Sequence, residues 1–305
     1  MIEGLRFPEV VDNSMRKELA KCQKIAHWKF EKGLNGPHSV DLHAGGAFAA
    51  GLEAARLAFY RDGVSHEDAV RLGVEKVLEF YGDFQCPEKS NKSAARMAGA
   101  LTFYFGEHRM GEDEYQPVKF PDGTLGIEVN GTFALPIAHP HTGLGLIYSY
   151  RFDMLAEDCD GNYWVVDEKT SSKLGDAWAF QWDLDSQMTG YCFGAKALLR
   201  EKGLDPDKLK GAIINGVSIL KYDYGHMRCP TMRMDWEIDR WYHEMLRDFT
   251  DWKYAYLDQN HRQVLDHACA LYNAPCAYAR LCKSREPHKI ESGYVVRFWN
   301  PLTRE

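Results

Sequence analysis

Two strand-like runs, residues 145–156 and 162–169, flank the tetrapeptide Asp158-Cys159-Asp160-Gly161. Apolar runs joined by turn-forming residues predict an antiparallel hairpin. With its tip near Asp160, residues whose numbers sum to about 320 face one another, and 153 plus 167 gives 320. Asp153 is therefore expected opposite Asp167. Side chains alternate along a strand, so Lys169 shares the face of Asp167, while Val166 and Glu168 point the other way. Two carboxylates and an ammonium converge at the end of an otherwise apolar strand pair. No other stretch constrains the fold as much, because whatever packs around this hairpin must solvate or neutralise those charges.

The flanking sequence reads as helices upstream and alternating elements downstream. Helical spacing is expected over 14–32 with Ser14 as N-cap, over 44–61, over 65–81 with a capping box at Ser65 and Asp68, and over 91–106. Residues 125–136 read as a strand before the hairpin. After it come a helix over 183–202, a buried strand over 210–220, an edge strand over 228–236 and a helix over 239–256. The pattern predicts an α/β (α+β) core, a mixed central sheet flanked by helices with helical additions at both ends. A single domain over 1–305 is expected, with a helical N-terminal region (residues 1–115), a core (residues 116–225) and a C-terminal segment (residues 226–305).

No apolar run approaches the roughly 20 residues a membrane helix needs, and no basic segment followed by an apolar core opens the chain. A cytoplasmic protein without membrane contact is expected; oligomerisation stays open. The net charge of -7, from 37 Lys and Arg against 44 Asp and Glu, excludes a bulk polycation but not a local basic groove. Eight cysteines in a reducing compartment point to metal or redox chemistry rather than a disulfide framework. Only Cys269, Cys276 and Cys282 are clustered. Structural zinc modules use tight C-x-x-C knuckles, which this chain lacks. Three spaced thiolates completed by a distant fourth resemble an iron-sulfur site more closely.

Adjacent carboxylates are stabilised by a shared proton or a bound cation. Oxygen ligands with open positions suit Mg²⁺ or Mn²⁺, and a neighbouring lysine can orient water and offset charge on a phosphate. The bland alternative is a surface hairpin carrying an exposed salt bridge. Gln187 and Tyr191 stand four residues apart on one face of the next helix, where an amide and a phenol can meet phosphate oxygens or a base. Five tryptophans, Trp178, Trp182, Trp236, Trp241 and Trp252, are stacking candidates whose commoner use is core packing.

The order Asp153, then Asp167-Glu168-Lys169-Thr170, then Gln187 to Tyr191 resembles the PD-(D/E)XK nucleases, specifically the RecB-like branch with the AddB nuclease domain and CRISPR-associated and phage exonucleases. The resemblance spans about residues 14–282. It implies a restriction-endonuclease-like core and metal-dependent DNA exonuclease activity in recombination, repair or phage DNA metabolism. Asp153 and Asp167 would ligate Mg²⁺ or Mn²⁺ through their side chains, and Glu168 through its backbone carbonyl. Lys169 would orient the hydrolytic water; Thr170, Gln187 and Tyr191 would contact DNA. The family's helix motif G-x-x-x-H-x-x-L-E departs here, because Gly45 to Glu53 has Ala49 in place of histidine. Glu53, one turn on, is the expected substitute ligand, with Glu128 as a supporting carboxylate. The resemblance also implies a [4Fe-4S] cluster on Cys22, Cys269, Cys276 and Cys282, tying the last segment to the first helix. Two alternatives follow from the missing histidine and the shared core: a catalytically impaired DNA-binding or assembly protein, and an endonuclease.

Overall fold

The computed structural model describes residues 5–36, 39–264, 267–270 and 275–303. In chain order its elements begin with β1 (Val10–Val11), α1 (Asn13–Lys21), α2 (Gln23–Ala26), β2 (Leu34–Asn35), α3 (Val40–Tyr60), α4 (His66–Tyr81) and α5 (Ala94–Glu107). Next come β3 (Gln116–Pro117), β4 (Ile127–Ala138), β5 (Gly145–Glu157), β6 (Tyr163–Ser171), α6 (Asp176–Phe180) and α7 (Ser186–Glu201). The remainder is β7 (Leu209–Ile219), β8 (Tyr224–Met232), α8 (Asp235–Leu257), α9 (Ala279–Lys283) and β9 (Val295–Val296). No described helix is long and apolar enough to cross a membrane.

Contacts divide the chain into two compact units, each discontinuous in sequence. One comprises residues 38–130 and 151–238; the other comprises 1–37, 131–150 and 239–305. This division does not follow the expected boundaries at 115 and 225, because β4 and β5 each give residues to both units.

In the first unit the sheet runs β5, β6, β7, β8. The β5–β6 hairpin has the expected register, with Met154 opposite Val166 and Leu155 opposite Val165. β6 then pairs parallel with β7, and β7 antiparallel with β8. A parallel step needs a long crossover, which α6 and α7 supply. Every residue of β7 except Lys210 is buried, as befits an inner strand covered on both faces. Val217 and Ile219 pack into a core with Phe48 and Leu52 of α3, Val77 of α4 and Leu101 of α5. The fold is thus mixed α/β, as the alternation of elements implies.

The helices differ from expectation mainly at their ends. The expected 14–32 helix is capped by Asp12, whose Oδ1 accepts the N–H of Met15 at 2.8 Å, and not by Ser14. It breaks at Cys22, which is fully extended (φ -169°, ψ 126°), and resumes as α2 followed by a π-helical turn, His27–Glu31. The break falls where the cysteine is engaged in tertiary bonding: Cys22 Sγ accepts the N–H of Val264 at 3.4 Å. α7 begins at Ser186 because Asp185 Oδ1 takes the N–H of Gln187 at 2.7 Å. β8 ends at Met232, so that α8 starts four residues before the expected position.

In the second unit β1 pairs parallel with the first residues of β5, and β2 pairs with β9. Phe7 packs on Trp252 and Tyr256 of α8, with ring centroids 4.9 and 5.1 Å away. Trp182, Trp241 and Trp252 are buried, so the packing use of tryptophan holds for them, whereas Trp236 is exposed.

α3 and α4 approach through two glycines. A Cβ at Gly51 would stand 2.9 Å from Gly73 O, and one at Gly73 would stand 2.7 Å from Gly51 O. Gly73→Ala should cost about 1–3 kcal/mol through overpacking. Gly45→Ala on α3, where a Cβ meets nothing within 4 Å, should stabilise by about 0.5–1 kcal/mol. Urea unfolding of both variants checks the contrast.

Candidate active site

The described pairing of β5 with β6 ends at Met154 and Val166. One residue further, Asp153 Oδ2 accepts the backbone N–H of Glu168 at 2.6 Å, so a side chain joins the strands there. Lys169 pairs with Asp167, as strand alternation requires of residues two apart. Asp167 is 2% exposed, while Asp153 and Lys169 are half-buried, so the group has one open side.

Glu168 points to the opposite face of β6. There its carboxylate pairs with Arg56 of α3 and accepts the Tyr104 hydroxyl of α5 at 3.2 Å. Tyr104 in turn accepts from Arg56 Nη2 at 3.0 Å and from Asn215 Nδ2 at 3.2 Å. Glu128 on β4 has φ of 49°, a left-handed conformation rare outside glycine and asparagine. Its Oε2 lies 2.6 Å from Arg151 Nη2. Glu53 is half-buried on α3, near enough for its charge to act on both Glu128 and Arg151. The His43 ring stacks on Phe84 with centroids 4.0 Å apart, and its Nε2 meets Tyr81 O at 3.0 Å.

Five carboxylates, Glu53, Glu128, Asp153, Asp167 and Glu168, thus gather around three cations, Arg56, Arg151 and Lys169. Burial, with Asp167 and Glu168 beside it, holds the Asp153 carboxyl well above the usual carboxylate range. Burial also raises Asp167 despite Lys169. Burial pushes Glu168 up as well, but Arg56 and the donors around it prevail and leave it lowered. The excess negative charge has a local signature. Asp167 Oδ2 touches the Lys169 ammonium without an aligned hydrogen bond, and Glu168 Oε2 has no donor among the described residues. Asp153 and Asp167, two carboxyls on one face in a group with surplus acid, fit a hard divalent cation.

Gln187 and Tyr191 are joined on α7, where the amide Nε2 donates to the phenol at 2.5 Å. Thr170 accepts from Lys92 Nζ at 3.4 Å. The residues picked from sequence therefore fall on neighbouring elements of one unit. Arg56, Tyr104, Arg151 and Lys92 are additions; Arg56 was signalled only by standing three residues from Glu53, on the same helix face.

In the other unit, Cys22, Cys269, Cys276 and Cys282 line one cavity of about 80 Å³, together with Ile25, Val264, Ala268 and Tyr278. Cys269 Sγ donates to Val264 O at 3.1 Å. Burial raises the Cys276 and Cys282 thiols, and the other cysteines raise them further. Four sulfur atoms around a largely apolar cavity, on segments over 240 residues apart, suit a soft-metal cluster. A second buried cluster in this unit has a different character. Glu31 accepts His27 Nδ1 at 2.8 Å, and its other oxygen accepts His261 Nε2 and Trp252 Nε1, both at 2.7 Å. Those separations are hydrogen-bond distances, so the trio stands here as a buried hydrogen-bonded group, and its ligand atoms also lie close enough together to hold a metal ion.

No protein-family model matches the chain, and no curated protein matches it. A solved structure titled "Crystal structure of SSO0001" is similar at 11% identity, over 76% of this chain and 83% of that one, with a TM-score of 0.23. A TM-score of that size carries no weight for fold or function.

Two variants test the charge account. Arg56→Ala strands a Glu168 carboxylate that is 2% exposed, and should cost about 3–5 kcal/mol in urea unfolding. Asp153→Asn should do the opposite in metal-free protein. The native state holds the Asp153 proton to higher pH than the unfolded chain, so ionised Asp153 opposes folding once pH rises above its unfolded value. The rise in melting temperature should be largest near pH 8 and shrink toward pH 4.

Proposed function

We propose that the chain is a metal-dependent DNA exonuclease of the RecB-like PD-(D/E)XK type. One observation carries the reading: Asp153, Asp167 and Lys169 meet at the open end of one strand pair in a group with more acid than base. Asp153 and Asp167, with the Glu168 carbonyl, would hold Mg²⁺ or Mn²⁺, and Glu53 would serve where Ala49 replaces the family's histidine. The bound ion would activate water and offset charge on the phosphate. Arg56 and Tyr104 fix the Glu168 side chain on the far face, which orients the Glu168 peptide toward Asp153. Lys169 would orient the attacking water and meet the negative charge that builds on the phosphate. Thr170 and the Gln187–Tyr191 pair would hold the strand beside the cut.

The four-cysteine cavity supports a [4Fe-4S] cluster with a structural role, in a protein working in a reducing compartment. Protein purified without oxygen should carry iron and sulfide and absorb visible light. Cys282→Ser should lose the colour and several degrees of melting temperature; iron-free, colourless native protein removes the cluster.

The activity is tested by digesting end-labelled linear and circular DNA with Mn²⁺. Linear DNA should be degraded from its ends and circles spared. Lys169→Ala should lower the rate at least about a hundredfold while DNA binding persists. Cutting of circles means an endonuclease, and binding without cleavage means the impaired DNA-binding protein that Ala49 brings to mind.

A further inference from the structure

Lys92, in the loop before α5, is buried at 8% exposure, an unusual state for lysine. Its backbone is held on both sides: its N–H donates to Ser90 Oγ at 3.2 Å, and its carbonyl accepts the Tyr81 hydroxyl. Only the ammonium has a choice of partners. It reaches Thr170 Oγ1 at 3.4 Å, at the end of β6 next to Lys169, and Asp41 Oδ1 at 2.8 Å, at the start of α3. The Asp41 side chain is 72% exposed, against 10% for Lys92. An ion pair whose carboxylate stands in solvent contributes little to stability, so stability alone does not account for burying and fixing this lysine.

We propose that Lys92 is a backbone-phosphate clamp for the DNA strand, and that Asp41 occupies the phosphate position until DNA displaces it. The inference rests on the nuclease reading, and deepens it by assigning a strand-binding residue outside the motif strands. A carboxylate oxygen and a phosphate oxygen make the same charge-assisted bond to an ammonium. The phosphate would also reach the Thr170 hydroxyl, which follows Lys169 at the end of β6 and by alternation lies on the other face of the strand. Asp41 then weakens DNA binding by competition, and its removal improves the clamp.

The test is single-stranded oligonucleotide binding by fluorescence anisotropy, at several salt concentrations, with Ca²⁺ present to avoid turnover. Lys92→Gln should weaken binding about tenfold and lower the salt slope by about 0.7, the value for one phosphate on a single strand. Lys92→Arg should restore the slope. Asp41→Asn should tighten binding several-fold, and that gain should vanish in the Lys92→Gln background. Unchanged affinity and slope in Lys92→Gln, a gain from Asp41→Asn that survives without Lys92, or a wild-type chain that does not bind DNA overturns the clamp. Circular dichroism and melting temperature establish that each variant is folded. Cleavage with Mn²⁺ is scored separately: a chain that binds through Lys92 but never cuts keeps the clamp and loses the nuclease reading.

Discussion

Uncompensated negative charge at the end of one strand pair is the constraint around which the site is organised. A carboxylate taken out of water is costly unless something answers its charge, and four of the site's five carboxylates each have a different answer. Glu168 has Arg56 and Tyr104; Glu128 has Arg151; Asp167 has Lys169; Asp153 has one backbone N–H. These answers leave more acid than base, and Asp153 stands with Lys169 on the half-open side. The helices that cover the sheet supply one cation and one hydroxyl donor on the closed side. Arg56 comes from α3 and the Tyr104 hydroxyl from α5, so the helical layer is part of the electrostatics of the sheet and not only its apolar cover.

The local backbone reflects the same demand. Glu128 sits in a left-handed conformation within a long strand, and Asp153 uses its side chain to take a backbone donor. Irregularities of this kind cost stability where they occur and persist when surrounding contacts hold them in place. Here they lie beside the charged group, while the neighbouring β6–β7 ladder runs regularly from Trp164 to Ser171.

Much of this was legible in the sequence, and the reason is that strand periodicity is rigid. A turn at Asp158 to Gly161 and a period of two placed Asp153 near Asp167 and set Lys169 and Glu168 on opposite faces, without knowledge of anything packed around them. Partners from other elements were not legible, because nothing in the spacing of Arg56, Tyr104 or Arg151 says which strand they will meet. Helix ends were also poorly read: Ser14 is the expected cap where Asp12 serves, and the break at Cys22 coincides with a tertiary bond with Val264, 242 residues away. The four cysteines were read as one group from their spacing and a family likeness, and they line one cavity. The two-unit division was hidden because β4 and β5 run through it, leaving no linker composition to mark the boundary.

The central claim is that the surplus carboxylate is a cation site. Titration of Mn²⁺ into the metal-free chain, followed by electron paramagnetic resonance of the free ion, tests it directly. The account predicts stoichiometric binding at the Asp153 and Asp167 site that is lost or greatly weakened in both Asp153→Asn and Asp167→Asn, each of them folded. Binding that both variants retain, or no Mn²⁺ binding by the wild-type chain at millimolar ion, would contradict it.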